Sequence, residues 1–292
     1  MTTPPDDSSS EPVPETGTGV VATDGGEDDS RVSRLFSTGH DEPLARFGDY
    51  ESRSESILHT LVVLLGALLA ASILVVVGAD LLAWVGFTEE STPVIFDSLT
   101  LSLNFVGFLT ASLLYLSWRE EHTSLVRASI PSRRDVTIIA VGFISLVGLM
   151  VAFEVLVSLL GIETAENVSV QQGREHPELF LALLPIQFLL TAPAEELLFR
   201  GVVQGLFRRA YGIIPGIVLA ALLFAGFHLP ALGGGEGVLP VLAVLFLSGA
   251  FLGLLYEITG NLTVPIVVHA FWNVLVFSSE YLQAVEALAI AL

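Results

Sequence analysis

Three charged side chains, Glu195, Glu196 and Arg200, stand inside an apolar run of this sequence. The run reads LFLALLPIQFLLTAP before them and LLFRGVVQGLF from the next residue on, which is long enough to lie within a lipid bilayer. Each charge at that depth costs about 2.5–3.5 kcal/mol on insertion scales, and such a cost usually marks a functional interior. The three charges therefore predict a chemical site inside the membrane.

The spacing of these charges assigns different tasks to the two glutamates. Glu196 and Arg200 are four residues apart with the acid first, so they can pair on one helix face. A structural ion pair is the alternative interpretation for these two residues. Glu195 points about 100° away from Glu196 on a regular helix and is left without that partner. A poorly solvated carboxylate is a stronger base, so Glu195 is a candidate general base.

His228 is a candidate partner for Glu195 from the next helix. The two hydrophobic segments meet at a short turn near Arg208–Gly212, and both residues lie about 20 Å from it at 1.5 Å per residue. An antiparallel pair of helices would bring them to the same depth. The alternative is a histidine that only hydrogen-bonds one helix to another.

A second polar pair, His269 and Asn273, lies in the last hydrophobic segment. Their four-residue spacing places both on one helix face, and Asn273 lies about 18 Å beyond the turn at Asn261. Polar contacts between helices are again the alternative. Taken together, four polar side chains from three helices are predicted to meet in one layer.

A glutamate and a histidine in a chain without cysteine indicate hydrolysis by an activated water. The water would attack an amide carbonyl, and His269 with Asn273 could donate hydrogen bonds to the oxyanion. A serine protease using Ser248 would leave the buried charges unexplained. The chain lacks a His-Glu-x-x-His motif. Zinc bound by Glu195, His228 and His269 stays open as an alternative.

The elements that must position these residues are hydrophobic helices. The chain is 52% hydrophobic with a mean hydropathy of +0.73, and its apolar runs are continuous, which excludes the alternating pattern of a membrane barrel. We expect an all-α, polytopic transmembrane helix bundle of seven to eight spans. The seven clear segments are 57–79, 97–118, 136–160, 178–207, 213–229, 239–258 and 263–281.

Composition divides the chain into three parts. Residues 1–50 are acidic, rich in Pro, Ser, Thr and Gly, and poor in aromatic residues, so we expect a disordered tail. Residues 51–134 form a predicted N-terminal transmembrane hairpin, and residues 135–292 form the predicted catalytic membrane domain. The final YLQAVEALAIAL segment either extends the last helix or forms a short surface helix.

Charge distribution predicts the orientation and excludes one class of partner. Apart from Arg174, the arginines outside the spans gather on one side of the predicted bundle, which predicts a multi-pass protein of the cell membrane with a cytoplasmic N-terminal tail. The net charge of −19 makes nucleic acid an unsuitable partner. The absence of lysine together with this acidity indicates a high-salt proteome such as that of a halophilic archaeon. The clustered arginines are Arg46, Arg53, Arg119, Arg127, Arg133, Arg134, Arg208 and Arg209.

The three motifs together resemble those of the CAAX prenyl protease and bacteriocin-processing (CPBP) family. They are Glu195-Glu196-x-x-x-Arg200, Phe224-x-x-x-His228 and His269-x-x-x-Asn273, and the resemblance covers roughly residues 135–280. Members are intramembrane endopeptidases similar to type II CAAX prenyl endopeptidase, usually with eight crossings. The resemblance implies that Glu195 and His228 activate water, that Glu196 and Arg200 support them, and that His269 and Asn273 donate to the oxyanion.

The resemblance also implies a peptide or protein substrate in the membrane, which can be lipid-modified. Family members have been described both as metalloendopeptidases and as metal-independent glutamate proteases; the second interpretation, which requires no cofactor, is favoured here. A non-proteolytic scaffold or a bacteriocin-type immunity protein of the same fold is the alternative function. An ion or proton transporter is a third, but the sequence shows no inverted repeat of the kind typical of transporters.

Overall fold

The computed structural model describes residues 50–118, 124–235 and 237–291. The expected disordered tail over residues 1–50 lies, apart from Tyr50, outside this described part of the chain. Arg46 and Arg119, which contributed to the predicted orientation, lie outside it as well.

The described residues form helices joined by short connections. The ranges are α1 (Tyr50–Trp84), α2 (Pro93–Trp118), α3 (Arg133–Leu159), α4 (Val168–Glu175), α5 (Glu178–Tyr211), α6 (Ile213–Phe227), α7 (Val238–Thr259) and α8 (Thr263–Ala291). Seven of them, all but α4, are long and apolar enough to cross a membrane. No strand occurs in these ranges, where a single bridge joins Asn167 to Leu232. The predicted all-α polytopic bundle is confirmed, with seven candidate spans.

The helix ends differ from prediction at two places that concern the site. The segment expected to end at residue 229 ends at Phe227, and a short 3₁₀ turn, Leu229–Ala231, follows it. The last helix continues to Ala291 instead of ending near residue 281. Its final residues are mostly Ala, Leu, Glu and Gln, which are strong helix formers without a breaker among them. Of the two alternatives left open for the YLQAVEALAIAL segment, its described residues extend the last helix.

Helix α5 is not a regular α-helix, as the sequence interpretation assumed. Two π-helical stretches, Gln187–Thr191 and Leu197–Val203, flank a short α-helical stretch, Ala192–Glu196. Pro185 and Pro193 lie in or beside these stretches, and proline removes the amide donor that regular i→i−4 bonding needs. The wider i→i+5 turn of the π-helix changes the direction in which the side chains point. Local geometry of this kind is frequent at functional sites.

Two apolar clusters hold the helices together. One lies among α1, α2, α5 and α6 and includes Ala67, Phe108, Phe199 and Phe224. The other lies among α3, α7 and α8 and includes Leu146, Leu252 and Val268. Many large apolar side chains on the outward faces of the helices are exposed, as lipid-facing residues of a bundle are. Helix α5 contacts both sets of neighbours, so its polar residues face the interior.

Candidate active site

Glu195 faces two imidazole rings from different helices. Its Oε1 lies 4.0 Å from Nε2 of His228, and its Oε2 lies 3.7 Å from Nε2 of His269. Glu195 is 7% exposed and His269 is 6% exposed, so the group is largely shielded from solvent. The structure therefore brings Glu195 close to both histidines that the sequence predicted, at the same level of the helix bundle. The depth estimate from helix rise had anticipated this for Glu195 and His228.

His228 lies at the end of α6 and not within a helix, where the sequence interpretation had placed it. It is the C-cap residue, and its Nδ1 lies 2.8 Å from the carbonyl oxygen of Phe224. A carbonyl oxygen can only accept, so Nδ1 carries the hydrogen and donates it. In the neutral ring the lone pair is then on Nε2, which faces Glu195. His228 is thus oriented as a hydrogen-bond acceptor towards the space beside the carboxylate.

Glu196 has a different environment from its neighbour. It is fully buried, and its Oε1 lies 2.8 Å from Nη1 of Arg200 and 2.8 Å from Nδ1 of His269. The i, i+4 pair that the sequence predicted is therefore present. Arg200 also donates to the carbonyl oxygen of Gly249 at 3.2 Å, and its guanidinium lies 4.3 Å from the centre of the Phe224 ring. These contacts fix the carboxylate, which in turn fixes the ring of His269.

Asn273 reaches the same region but bonds to a residue that the sequence interpretation missed. Its Nδ2 donates to Oε1 of Gln187 at 3.0 Å. Gln187 and Thr191 stand eight and four residues before Glu195, and both are buried. Two polar residues at helical spacing upstream of Glu195, in an otherwise apolar run, are a signal that could have identified them.

A second buried polar group continues from the first towards the end of α5. Gln204 donates to Oε1 of Glu257 at 2.7 Å and to the carbonyl oxygen of Gly253 at 3.2 Å. Nη1 of Arg208 lies 3.3 Å from Oε2 of Glu257. The sequence interpretation treated Arg208 as a topological anchor and did not single out Gln204 or Glu257. The four-residue spacing from Glu196 through Arg200 and Gln204 to Arg208 is the signal that could have identified this row of polar residues.

A cavity of about 350 Å³ adjoins the site. Glu195, His228, His269 and Asn273 contribute to its wall, together with Gln187 and Thr191. Ser248 lines it too, and the hydroxyl of Ser248 donates to the carbonyl oxygen of Leu245 in its own helix. Most other lining side chains are apolar, including Leu101, Phe105, Leu146, Met150, Leu252 and Trp272. The volume and the lining suit a largely apolar ligand.

The donor types of Glu195, His228 and His269 are those found in catalytic zinc sites. Within the described ranges, however, no group of three or more His, Asp or Glu side chains is arranged to hold a metal ion. The zinc set that the sequence left open is therefore not preformed, and no step of the chemistry below is assigned to a metal.

Comparisons with known proteins find similarity over the part of the chain that holds this site. Residues 177–275 match the family of type II CAAX prenyl endopeptidase Rce1-like proteins, and this range contains all of Glu195, Glu196, Arg200, His228, His269 and Asn273. The chain is 43% identical over 81 residues to the uncharacterized protein YpbD of Bacillus subtilis (strain 168). That similarity covers 28% of this chain and 36% of YpbD, so it spans about a third of the relative. No solved structure matches the chain.

Proposed function

We propose that this chain, whose residues 177–275 match the family of type II CAAX prenyl endopeptidase Rce1-like proteins, is an intramembrane endopeptidase that uses a water activated by Glu195 and His228. The family match indicates peptidase activity, and the seven apolar helices indicate a multi-pass membrane protein. The observation that carries the finer proposal is the position of Glu195, whose carboxylate faces Nε2 of both His228 and His269 beside an apolar cavity.

The gap between Glu195 and His228 suits a water molecule. At 4.0 Å the two atoms are too far apart for a direct hydrogen bond. Both are acceptors when the carboxylate is ionised and the ring is neutral, so a water between them would donate one hydrogen to each. Its lone pairs would then face the cavity and the carbonyl carbon of a bound peptide. Proton transfer from this water to Glu195 or His228 generates the nucleophile, and the same group returns the proton to the departing amine.

His269 and Asn273 are suited to stabilise the oxyanion. Nδ1 of His269 donates to Glu196, so Nε2 can donate to an oxyanion only in the imidazolium form. The Glu196 carboxylate accepts the hydrogen on Nδ1, and Arg200 holds the carboxylate in place. One amide hydrogen of Asn273 is bonded to Gln187, which leaves the other for the substrate. Donors fixed in this way need no reorganisation when negative charge develops.

The substrate is, on this proposal, a peptide or protein segment that enters from the membrane. Its side chains, or a lipid attached to them, would occupy the apolar part of the cavity. The protein would lie in the cell membrane with its N-terminal tail in the cytoplasm, because the connections that carry the clustered arginines then lie on the cytoplasmic side. A non-proteolytic scaffold or immunity protein of the same fold is the alternative.

The test compares the site pair with an exposed pair of the same type. His176 and Glu178 also lie 4.0 Å apart, but both are exposed. Protein purified in detergent would be incubated with a library of internally quenched peptides, and cleavage followed by fluorescence and mass spectrometry. Glu195→Gln and His228→Ala should each lower the rate by about 10²-fold or more, since general acid–base catalysis contributes that much. Glu178→Gln and His176→Ala should retain the wild-type rate.

Two results would contradict the proposal. Wild-type cleavage rates in Glu195→Gln would remove the carboxylate from the mechanism. A folded wild-type protein that cleaves no peptide in the library, nor its own co-expressed membrane proteins, would favour the scaffold alternative.

A further inference from the structure

The connections of the bundle form two ends with different charge. We call one the arginine face: the start of α1, the segment 124–134, the turn between α5 and α6, and the turn between α7 and α8. Its parts contact one another, since the Arg53 guanidinium lies 5.3 Å from the Tyr211 ring and the Leu262 amide donates to the carbonyl oxygen of Arg127. Arg209 also bonds to Ser124. The described arginines of this face are Arg53, Arg127, Arg133, Arg134, Arg208 and Arg209.

We call the other end the acidic face: the connection from α3 through α4 to α5, and the connection from α6 to α7. The amide of Gly233 donates to the carbonyl oxygen of Glu166, and that of Ala165 donates to the carbonyl oxygen of Gly237, so the two connections pack together. In the described residues of these connections the sole arginine is Arg174. Its hydrogen bond to Glu166 raises its pKa, so it stays charged and paired.

The cavity extends to the acidic face. Asn167, Ser169 and Val170 around the start of α4 line it, as does Ala231 beyond α6, and none of these residues is fully buried. No residue of the arginine face is part of its lining in the described ranges. On that side, Gln204 and the ion pair of Arg208 with Glu257 fill the space between α5 and α7. The site is thus closed towards the arginine face.

We propose that the catalytic cavity opens to the non-cytoplasmic side of the membrane. Loops that carry an excess of arginine stay in the cytoplasm, which puts the acidic face outside. If the chain is the endopeptidase proposed above, its substrate class is then a polypeptide segment on the outer side, in a secreted or membrane-anchored protein. A cytoplasmic tail, lipid-modified or not, would not reach Glu195 from its own side.

The absence of cysteine from the chain allows a direct test. Ser248→Cys places a thiol on the cavity wall, Thr164→Cys places one on the acidic face, and Ser129→Cys places one on the arginine face; both face positions are exposed. Each full-length variant would be treated with a membrane-impermeant methanethiosulfonate in right-side-out and in inside-out membrane vesicles. We expect Thr164→Cys and Ser248→Cys to react at least tenfold faster in right-side-out vesicles, and Ser129→Cys to react at least tenfold faster in inside-out vesicles.

The opposite preference at Ser248→Cys or Thr164→Cys would overturn the proposal. So would a Ser248→Cys thiol that reacts from neither side, because the cavity would then be closed. The labelling does not depend on catalysis. The proposal about the side of the opening and the proposal of endopeptidase activity can therefore be contradicted independently of each other. Peptide cleavage in detergent with labelling of Ser248→Cys only from the inside would overturn the sidedness alone. Outward labelling in a protein without peptidase activity would support the sidedness and overturn the endopeptidase.

Discussion

Glu195 and Glu196 are adjacent in sequence, but their surroundings suit them to different tasks. Glu195 borders the cavity and its nearest polar partners, at 3.7 and 4.0 Å, are too distant for direct hydrogen bonds. Glu196 is fully buried and accepts two short bonds, from Arg200 and His269. The first carboxylate is therefore free to interact with water and substrate, whereas the second is committed to holding other side chains.

Arg200→Met tests the structural task of the second carboxylate. The change leaves Glu196 buried without its ion-pair partner, and breaking a buried pair typically costs about 3–5 kcal/mol. We expect a loss of that size in the free energy of unfolding, measured by denaturant titration in detergent. The double variant Glu196→Gln with Arg200→Met should recover part of the loss, because no uncompensated charge is left. An Arg200→Met protein as stable as wild type would show that the pair contributes little.

Thr191 provides a second test at the residue scale. Its hydroxyl is buried, it stands four residues before Glu195 on the wall of the same cavity, and it has no hydrogen-bond partner in the described part of the chain. A water or substrate group in the cavity could supply one. Thr191→Val should then lower kcat/KM about tenfold, which corresponds to about 1.4 kcal/mol, without lowering the melting temperature.

Thr191→Ser is the matched control for this prediction, since it keeps the hydroxyl and removes only a methyl group. It should retain most of the wild-type kcat/KM. Equal kcat/KM in the valine and serine variants would show that the hydroxyl does not contact the reacting groups.

At the element scale, the irregular helix α5 explains how one helix serves two polar networks. On a regular α-helix each step of four residues advances about 40° beyond a full turn, so a stripe at that spacing would wind away from one neighbour. The π-helical stretch Leu197–Val203 widens the turn and reduces this drift. Arg200 and Gln204 therefore both donate to backbone carbonyls of α7, at Gly249 and Gly253.

The close approach of α5 to α7 at Gly253 is itself testable. A methyl group at this position would lie 2.5 Å from Oε1 of Gln204, so Gln204 would have to move and its bond to Glu257 would be strained. Gly253→Ala should lower the free energy of unfolding by about 1–3 kcal/mol, as overpacking does. Gly148→Ala in α3 is the control, because a methyl group there meets no atom within 4 Å. It should be neutral or stabilising.

At the scale of the whole molecule, the bundle has two chemically different ends, and Glu195 faces His228 and His269 between them. The described residues offer no preformed group of three metal ligands. The protein would be incubated with EDTA, and the chelator removed by gel filtration. We expect the rate of peptide cleavage afterwards to stay within about twofold of the untreated rate. Atomic absorption on the same sample would measure residual zinc. Loss of cleavage that added zinc restores would show that cleavage depends on a metal and would contradict the metal-independent mechanism.

The sequence was sufficient for the presence of the seven long helices and for a contact within one helix. An apolar run long enough to span a bilayer must satisfy its backbone internally, so the seven candidate spans follow from composition and length. The Glu196–Arg200 pair follows from four-residue spacing, which is local geometry. Matching depth across the short turn before α6 also placed Glu195 near His228, because an antiparallel pair of helices has little freedom along its axis.

Only the tertiary structure decided which groups meet across helices. It placed His269 between the two carboxylates, Gln187 against Asn273, and Gln204 against Glu257. These contacts depend on the rotation of each helix and on the distance between axes, which the π-helical turns and the small residues at crossings set. A one-dimensional pattern records how far along a helix a side chain lies. It does not record which neighbour that side chain faces, because packing between helices fixes that direction.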